Sequence, residues 1–209
     1  MTRAVGAPEE SRVARRYRGS SGDDYFEWQS EIGRLGAELN RWKVEDYITQ
    51  HDTVLDFGCG GGYLPGSIEA ARKLGVEVST RAREVARRNG VEVYSSLGDV
   101  ASACVDVVIS HAALDHVLDP FTELKEMARV LKPGGLVIWT PIDDWRDRRG
   151  RANDPNYRLF TWTPPLMRNL LEEAGFQVLE SAVVTRAWSF RFTRYRNRFH
   201  DASLILHVS

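Results

Sequence analysis

At 209 residues, with 43% hydrophobic and 27% charged side chains, the chain has ordinary globular composition and the length of one domain. A formal net charge of −1 gives no global attraction for nucleic acid or an anionic membrane, and only Cys59 and Cys104 are present, too few for a disulfide framework. No apolar run approaches the roughly 20 residues of a membrane span, and the first residues lack the apolar centre of a signal peptide, so a cytoplasmic protein is expected.

Residues 1–24 are polar, rich in arginine and without periodicity, and read as a mobile arm ahead of a single domain over 25–209. Trp28, Ile32, Leu35, Leu39 and Trp42 recur at helical spacing, which predicts a helix from Tyr25 to about Ile48 laid across the body of the domain. Strand and helix then alternate. Apolar strands are expected at 53–57, 71–77, 91–96 and 105–110, with a helix capped by Ser79 and stopped at Asn89-Gly90 between the second and third. Asp119-Pro120 supplies an N-cap and a proline in the first turn. Phe121, Leu124, Met127, Ala128 and Leu131 form the buried stripe of that helix, and Pro133-Gly134-Gly135 ends it and launches a strand at 136–140.

The polar segment 142–160 is too long for a routine loop and reads as a lid-like insertion, carrying Trp145, Arg146, Arg148, Arg149 and Arg151. Another helix starts at Thr163-Pro164 and stops at Gly175, and strands follow at 176–184 and 203–208. Repeated β-then-α units with apolar strands predict a doubly wound α/β domain, its mostly parallel sheet covered by helices on both faces. Residues 188–199 interleave aromatics with arginines. Stacking on RNA is one reading of such a stretch. An alternating strand and turn, half buried and half wet, is simpler, and nucleic acid is not expected as a partner.

The chemistry concentrates at Asp56-Phe57-Gly58-Cys59-Gly60-Gly61-Gly62-Tyr63. A glycine turn leaving the first strand lets backbone approach a ligand closely. The dinucleotide fingerprint GxGxxG fails here, because Tyr63 stands where its third glycine belongs. The spelling Asp-x-Gly-x-Gly-x-Gly instead resembles motif I of the class I S-adenosylmethionine-dependent methyltransferases. The resemblance extends over about 150 residues, through GVEVS, DVVISHAALDHVLDP, LKEMARVLKPGGLVIWTP and RLFTWTPPLMRNLLEEAGF, and points to the small-molecule ("type 11"-like) branch.

That resemblance implies a Rossmann-like sheet of seven strands in the order 3-2-1-4-5-7-6, the seventh antiparallel. It also implies a site for S-adenosylmethionine. Asp56 and the backbone of Gly58, Cys59, Gly60 and Gly62 would hold the amino acid head. Glu77 would take the ribose hydroxyls, Ser96 and Leu97 the adenine, and Lys43 the methionine carboxylate. The residue types suit this ligand, since a carboxylate such as Glu77 can accept from both hydroxyls of a diol. The thiol of Cys59 reads as a packing residue, with no base at suitable spacing to make it a nucleophile.

Ligands of open α/β sheets bind beyond the carboxyl ends of the strands. His111 and His116 lie there, after the fourth strand. If the acceptor must lose a proton a base is required; His111, also counted on the cofactor side, is the first candidate and His116 the second. A structural, hydrogen-bonded histidine is the alternative for each. His51, His200 and His207 form no metal set with the cysteines, and no metal is expected. The expected function is therefore methyl transfer to an O, N or C atom of a small molecule, by a monomer or homodimer. A non-catalytic binding module on the same fold, an RNA methyltransferase and a nucleotide-dependent oxidoreductase are the alternatives; Tyr63 speaks against the last.

Overall fold

A computed structural model describes residues 11–143, 157–184 and 200–208. One sheet organises them. Its strands are β1 (Thr53–Phe57), β2 (Arg72–Val76), β3 (Glu92–Tyr94), β4 (Val105–His111), β5 (Leu131–Thr140), β6 (Ile142–Asp143), β7 (Phe176–Val184) and β8 (His200–Val208). β3, β2, β1, β4 and β5 lie side by side in that order, all parallel. β8 then runs antiparallel to β5 and pairs, again antiparallel, with both β6 and β7. The parallel body thus has five strands; a mostly parallel sheet of seven, the seventh antiparallel, was expected, and the sheet totals eight. The addition is β6, two residues following Pro141 that pair with the start of β8.

The strands alternate their side chains between two faces, and each face has its own core. Leu55, Phe57, Val108, Val137 and Trp139 belong to a large cluster with Leu124, Met127 and Leu171. Val54, Val107, Ile109 and Ile138 belong to the opposite cluster with Ala37 and Leu64. The helices sort accordingly. α5 (Pro120–Val130) and α6 (Pro164–Glu173) cover the first face, while α2 (Gly19–Asn40) and α3 (Tyr63–Gly66) cover the second. α4 (Thr80–Arg88) packs Ala86 with Val91, Val93 and Cys59 toward the β3 edge. Caps fix where these helices begin: the Ser79 hydroxyl accepts from the Ala82 N–H, and the Asp119 carboxylate from the Thr122 N–H ahead of Pro120.

The structure departs from the sequence reading in four places. The expected arm is helical from Arg12, as α1 (Arg12–Tyr17) followed at once by α2 from Gly19. α2 also docks through the other face. Trp28, Ile32, Leu35 and Leu39 are 39–52% exposed, while Gly22, Phe26 and Ala37 are buried. The Tyr63 ring lies against the Gly33 side of the helix, and the Tyr63 hydroxyl bonds Ser30 Oγ at 2.6 Å. Third, β5 starts at Leu131, ahead of the Pro133-Gly134-Gly135 turn, with a register break between the Val105–Leu131 and Val107–Leu136 pairs. Fourth, Phe121 of the α5 stripe lies on the surface while Leu124 and Met127 are fully buried. Residues 144–156 of the lid-like insertion and the stretch 188–199 lie outside the described residues.

Candidate functional site

The carboxyl ends of β1, β2 and β4 converge on the glycine loop. Gly58, Gly60 and Gly62 have φ of 76°, 51° and 70°, left-handed values that side chains disfavour. Gly58 has a second reason to be glycine, because a Cβ there would lie 2.5 Å from the Cβ of Ala113, in the loop after β4. That contact brings the β4 loop directly onto the glycine loop. The loop is otherwise tied to β2. The N–H groups of Gly58 and Cys59 donate to the Val76 carbonyl at 2.9 and 3.1 Å, and the Gly60 N–H donates to Glu77 Oε2 at 3.0 Å. Cys59 is buried with its sulfur against Gly75, where a Cβ would come within 2.5 Å of it. Burial and the nearby Asp56 and Glu77 push its thiol up, so it packs and does not attack.

Two acids frame this loop. Asp56, buried on β1, has its carboxyl pushed up to about 8, first by burial and then by Glu77. Glu77, just past β2, is raised by burial, an effect opposed by the N–H groups of Ser79, Gly60 and Val78 and by the Arg83 guanidinium. The Ser79 N–H donates to its Oε1 at 2.8 Å. A carboxylate offers about four acceptor positions, so Glu77 keeps capacity for two hydroxyls while bonding Gly60 and Ser79. Two acids with raised pKa beside a close-approach loop fit a ligand that brings positive charge and a diol, which S-adenosylmethionine does.

The other expected cofactor residues are more scattered in their roles. Lys43 is buried in the short turn that follows α2, beside Val44 of the second core. Ser96 caps the turn Leu97–Asp99, its N–H and Oγ donating to Asp99 Oδ2 at 3.1 and 3.0 Å. Leu97 commits its side chain to the main core, and its carbonyl accepts from Arg129 at 2.7 Å. Contact between Leu97 and an adenine would therefore involve its main chain.

Beyond β4 the two histidines part company. His111 Nδ1 lies 2.6 Å from the hydroxyl of buried Thr140 on β5. The next residue, Ala112, has φ of 49°, a strained value that aims Ala113 at Gly58, and its N–H donates to the Thr140 carbonyl. His116 has an acid on one side and a phenol on the other. Its Nε2 is 3.6 Å from Asp115 Oδ2, and its Nδ1 is 2.8 Å from the hydroxyl of Tyr17 on α1. The Tyr17 ring meets His116 edge-on at 5.5 Å and Tyr25 edge-on at 5.0 Å. Sequence reading missed Tyr17, Thr140 and Asp115. Asp115 adjoins His116 in the sequence, which was a usable signal; Tyr17 stands in an arginine-rich stretch without period, and nothing local marks it.

Comparison with known proteins agrees with this geometry. A family model described as a methyltransferase domain matches residues 55–139, from β1 to β5. A ubiquinone biosynthesis O-methyltransferase of Idiomarina loihiensis is 33% identical over 146 residues, covering 54% of this chain and 60% of that protein. One of Vibrio cholerae is 33% identical over 102 residues, 43% of this chain and 42% of that protein. The chain thus spans 60% or less of these curated relatives' length. Among solved structures, Burkholderia thailandensis 1,6-didemethyltoxoflavin-N1-methyltransferase, with S-adenosylhomocysteine bound, superposes with a TM-score of 0.71 at 18% identity, covering 100% of this chain and 93% of that one. A possible histamine N-methyltransferase of Thermotoga maritima gives 0.69 at 19% identity, covering 93% and 97%. The loop geometry and sheet order, with residues 55–139 matched by that family model, make the chain similar to the S-adenosylmethionine-dependent methyltransferases.

Proposed function

We propose that the chain binds S-adenosylmethionine at the β1–β2 loop and transfers a methyl group to an O, N or C atom of a small-molecule acceptor held beyond β4. The observation that carries this is Gly58, left-handed and pressed on Ala113, in the loop that follows Asp56 and is tied through Gly60 to Glu77. When bound, the cofactor supplies an electrophilic methyl carbon on a sulfonium. The protein's share is positioning and exclusion of water, effects worth roughly 7–11 kcal/mol when two reactants are well aligned. Glu77 holds the ribose, Asp56 and the loop backbone the amino acid head, and Lys43 the carboxylate. Ser96 and the Leu97 main chain border the adenine.

An acceptor hydroxyl or protonated amine needs a base, and His116 is better placed than His111. The Asp115 carboxylate lies 3.6 Å from its Nε2 and Tyr17 bonds its Nδ1, contacts that orient the ring. His111, on Thr140, lines the crevice between cofactor and acceptor. Among the described residues no helix is long and apolar enough to cross a membrane, and we read the protein as cytoplasmic, a monomer or homodimer.

The test is calorimetric titration with S-adenosylhomocysteine, and with NADH in parallel. Binding of the first alone, in the micromolar range, is expected. Failure to bind it, or equal binding of NADH, overturns the reading.

A further inference from the structure

We propose that the acceptor is an anion, held through a carboxylate or phosphate by Arg12 and Arg15 in a cleft beside His116. This rests on the methyltransferase reading above and names the substrate class of that site. The cleft, about 350 Å³, is lined by Arg12, Arg15, Arg16, Ser21 and Tyr157. Among the described residues its polar ends are thus three guanidinium groups and two hydroxyls. Positions 12, 15 and 16 share one side of α1, where neighbouring like charges destabilise a helix. A bound anion reverses that penalty, and guanidinium groups meet carboxylate and phosphate oxygens two at a time.

Two of the three nearest acids of α2 are engaged elsewhere, and the third, Asp24, is exposed. Asp23 accepts from the Ser79 hydroxyl and the Arg81 N–H, and Glu27 pairs with Arg81 at 3.3 Å. Among the described residues no ion pair of Arg12 or Arg15 is found, while Arg16 lies 5.0 Å over the Tyr25 ring.

Two links join the cleft to the reaction site. α1 is set firmly on α2, because a Cβ on Gly22 would lie 2.3 Å from the Tyr17 carbonyl oxygen, and the Tyr17 hydroxyl reaches His116. On the opposite wall Tyr157 sits at φ of 52°, and the chain just beyond it is pinned by the N–H groups of Leu159 and Phe160, both donating to the Asp115 carbonyl. Arginines, Tyr17, His116 and Asp115 therefore form one continuous run from the cleft to the end of β4. A molecule anchored by its anionic group in the cleft extends along that run toward His116.

The test uses the whole protein saturated with S-adenosylhomocysteine, with benzoate and phenyl phosphate as probes and benzamide as the neutral control. Both anions are expected to bind with dissociation constants on the order of millimolar, more weakly as salt is raised, and benzamide not at all. Arg12→Gln with Arg15→Gln should weaken the anions by about tenfold while leaving S-adenosylhomocysteine affinity and Tm unchanged. The ratio of the two anions tells carboxylate from phosphate preference. Unaltered anion binding by the double variant, or benzamide binding as tightly as benzoate, overturns the proposal. Loss of S-adenosylhomocysteine binding alone overturns the methyltransferase reading instead, since the anions can be titrated without it.

Discussion

Asp56 ties stability to pH in a direction opposite to that of most acids. Its ordinary value is 3.8 and the fold pushes it up to about 8, by burial and by Glu77. The folded protein therefore keeps a proton that the unfolded chain releases, and stability falls as pH rises wherever the folded state binds more protons. Its contribution is full below the unfolded value and is lost as pH climbs through the folded one. In denaturant titrations without ligand, the wild type should lose stability between pH 5 and pH 8 relative to Asp56→Asn; parallel curves would falsify the assignment. A positively charged amino acid head beside Asp56 favours its ionised form, so S-adenosylhomocysteine binding near pH 7 should release up to about one proton, visible as a dependence of the binding enthalpy on the buffer. At Glu77 the expectation is simpler. Glu77→Ala should weaken S-adenosylhomocysteine about tenfold or more, and a change within about twofold, roughly 0.4 kcal/mol, removes the ribose assignment. Gly58→Ala combines a left-handed φ, costing roughly 1–2 kcal/mol, with a clash against Ala113. Adding Ala113→Gly relieves the clash alone, so the double variant should regain part of the lost Tm. No recovery at all would mean that the two loops do not meet as described.

Among the elements, α2 offers the sharpest contrast between pattern and packing. Leu35 belongs to its most regular apolar stripe yet is 40% exposed, whereas Met127 on α5 is fully buried. Leu35→Ser should therefore shift Tm by no more than a degree or two, in keeping with about 0.5 kcal/mol for surface changes. Met127→Ala should cost about 2–5 kcal/mol. Comparable losses from the two variants would mean that α2 docks through Leu35 after all. The strands at 53–57, 105–111 and 176–184 were legible because they are short, apolar and β-branched. The starts of α4, α5 and α6 were legible because Ser79, Asp119 and the Thr163-Pro164 pair mark helix N-termini by chemistry that acts locally. α1 was not, since Arg12–Tyr17 has no buried residue and depends on Gly22, Tyr25 and His116, all outside it. The docking face of α2 was hidden for a related reason: two of its buried residues, Gly22 and Ala37, are small, and hydrophobic periodicity registers them weakly.

At the scale of the whole molecule, the site is made from segments far apart in sequence that meet at one end of the sheet. The residues proposed for the cofactor could be named from sequence because Asp56, Gly58, Gly60 and Glu77 lie within a single β-loop-β stretch where spacing carries geometry. The surroundings of His111 and His116 could not be, because Tyr17, Asp115 and Thr140 reach them only when α1, β4 and β5 are assembled. The same division should appear in experiment: Arg12→Gln or Tyr17→Phe should leave S-adenosylhomocysteine affinity intact, while Glu77→Ala should not. One element has consequences before folding is complete. β5 pairs with β4 on one side and only with β8 on the other, and β8 begins at His200. At roughly 5–20 residues per second on the ribosome, the nascent chain carries β5 for some seconds with one edge open, its Val137, Ile138 and Trp139 belonging to what will be the fully buried centre. An apolar edge of that kind is a template for a neighbouring chain on the same polysome, so the yield of this protein in a cell depends on how quickly translation reaches His200 or on a chaperone that covers β5 until it does.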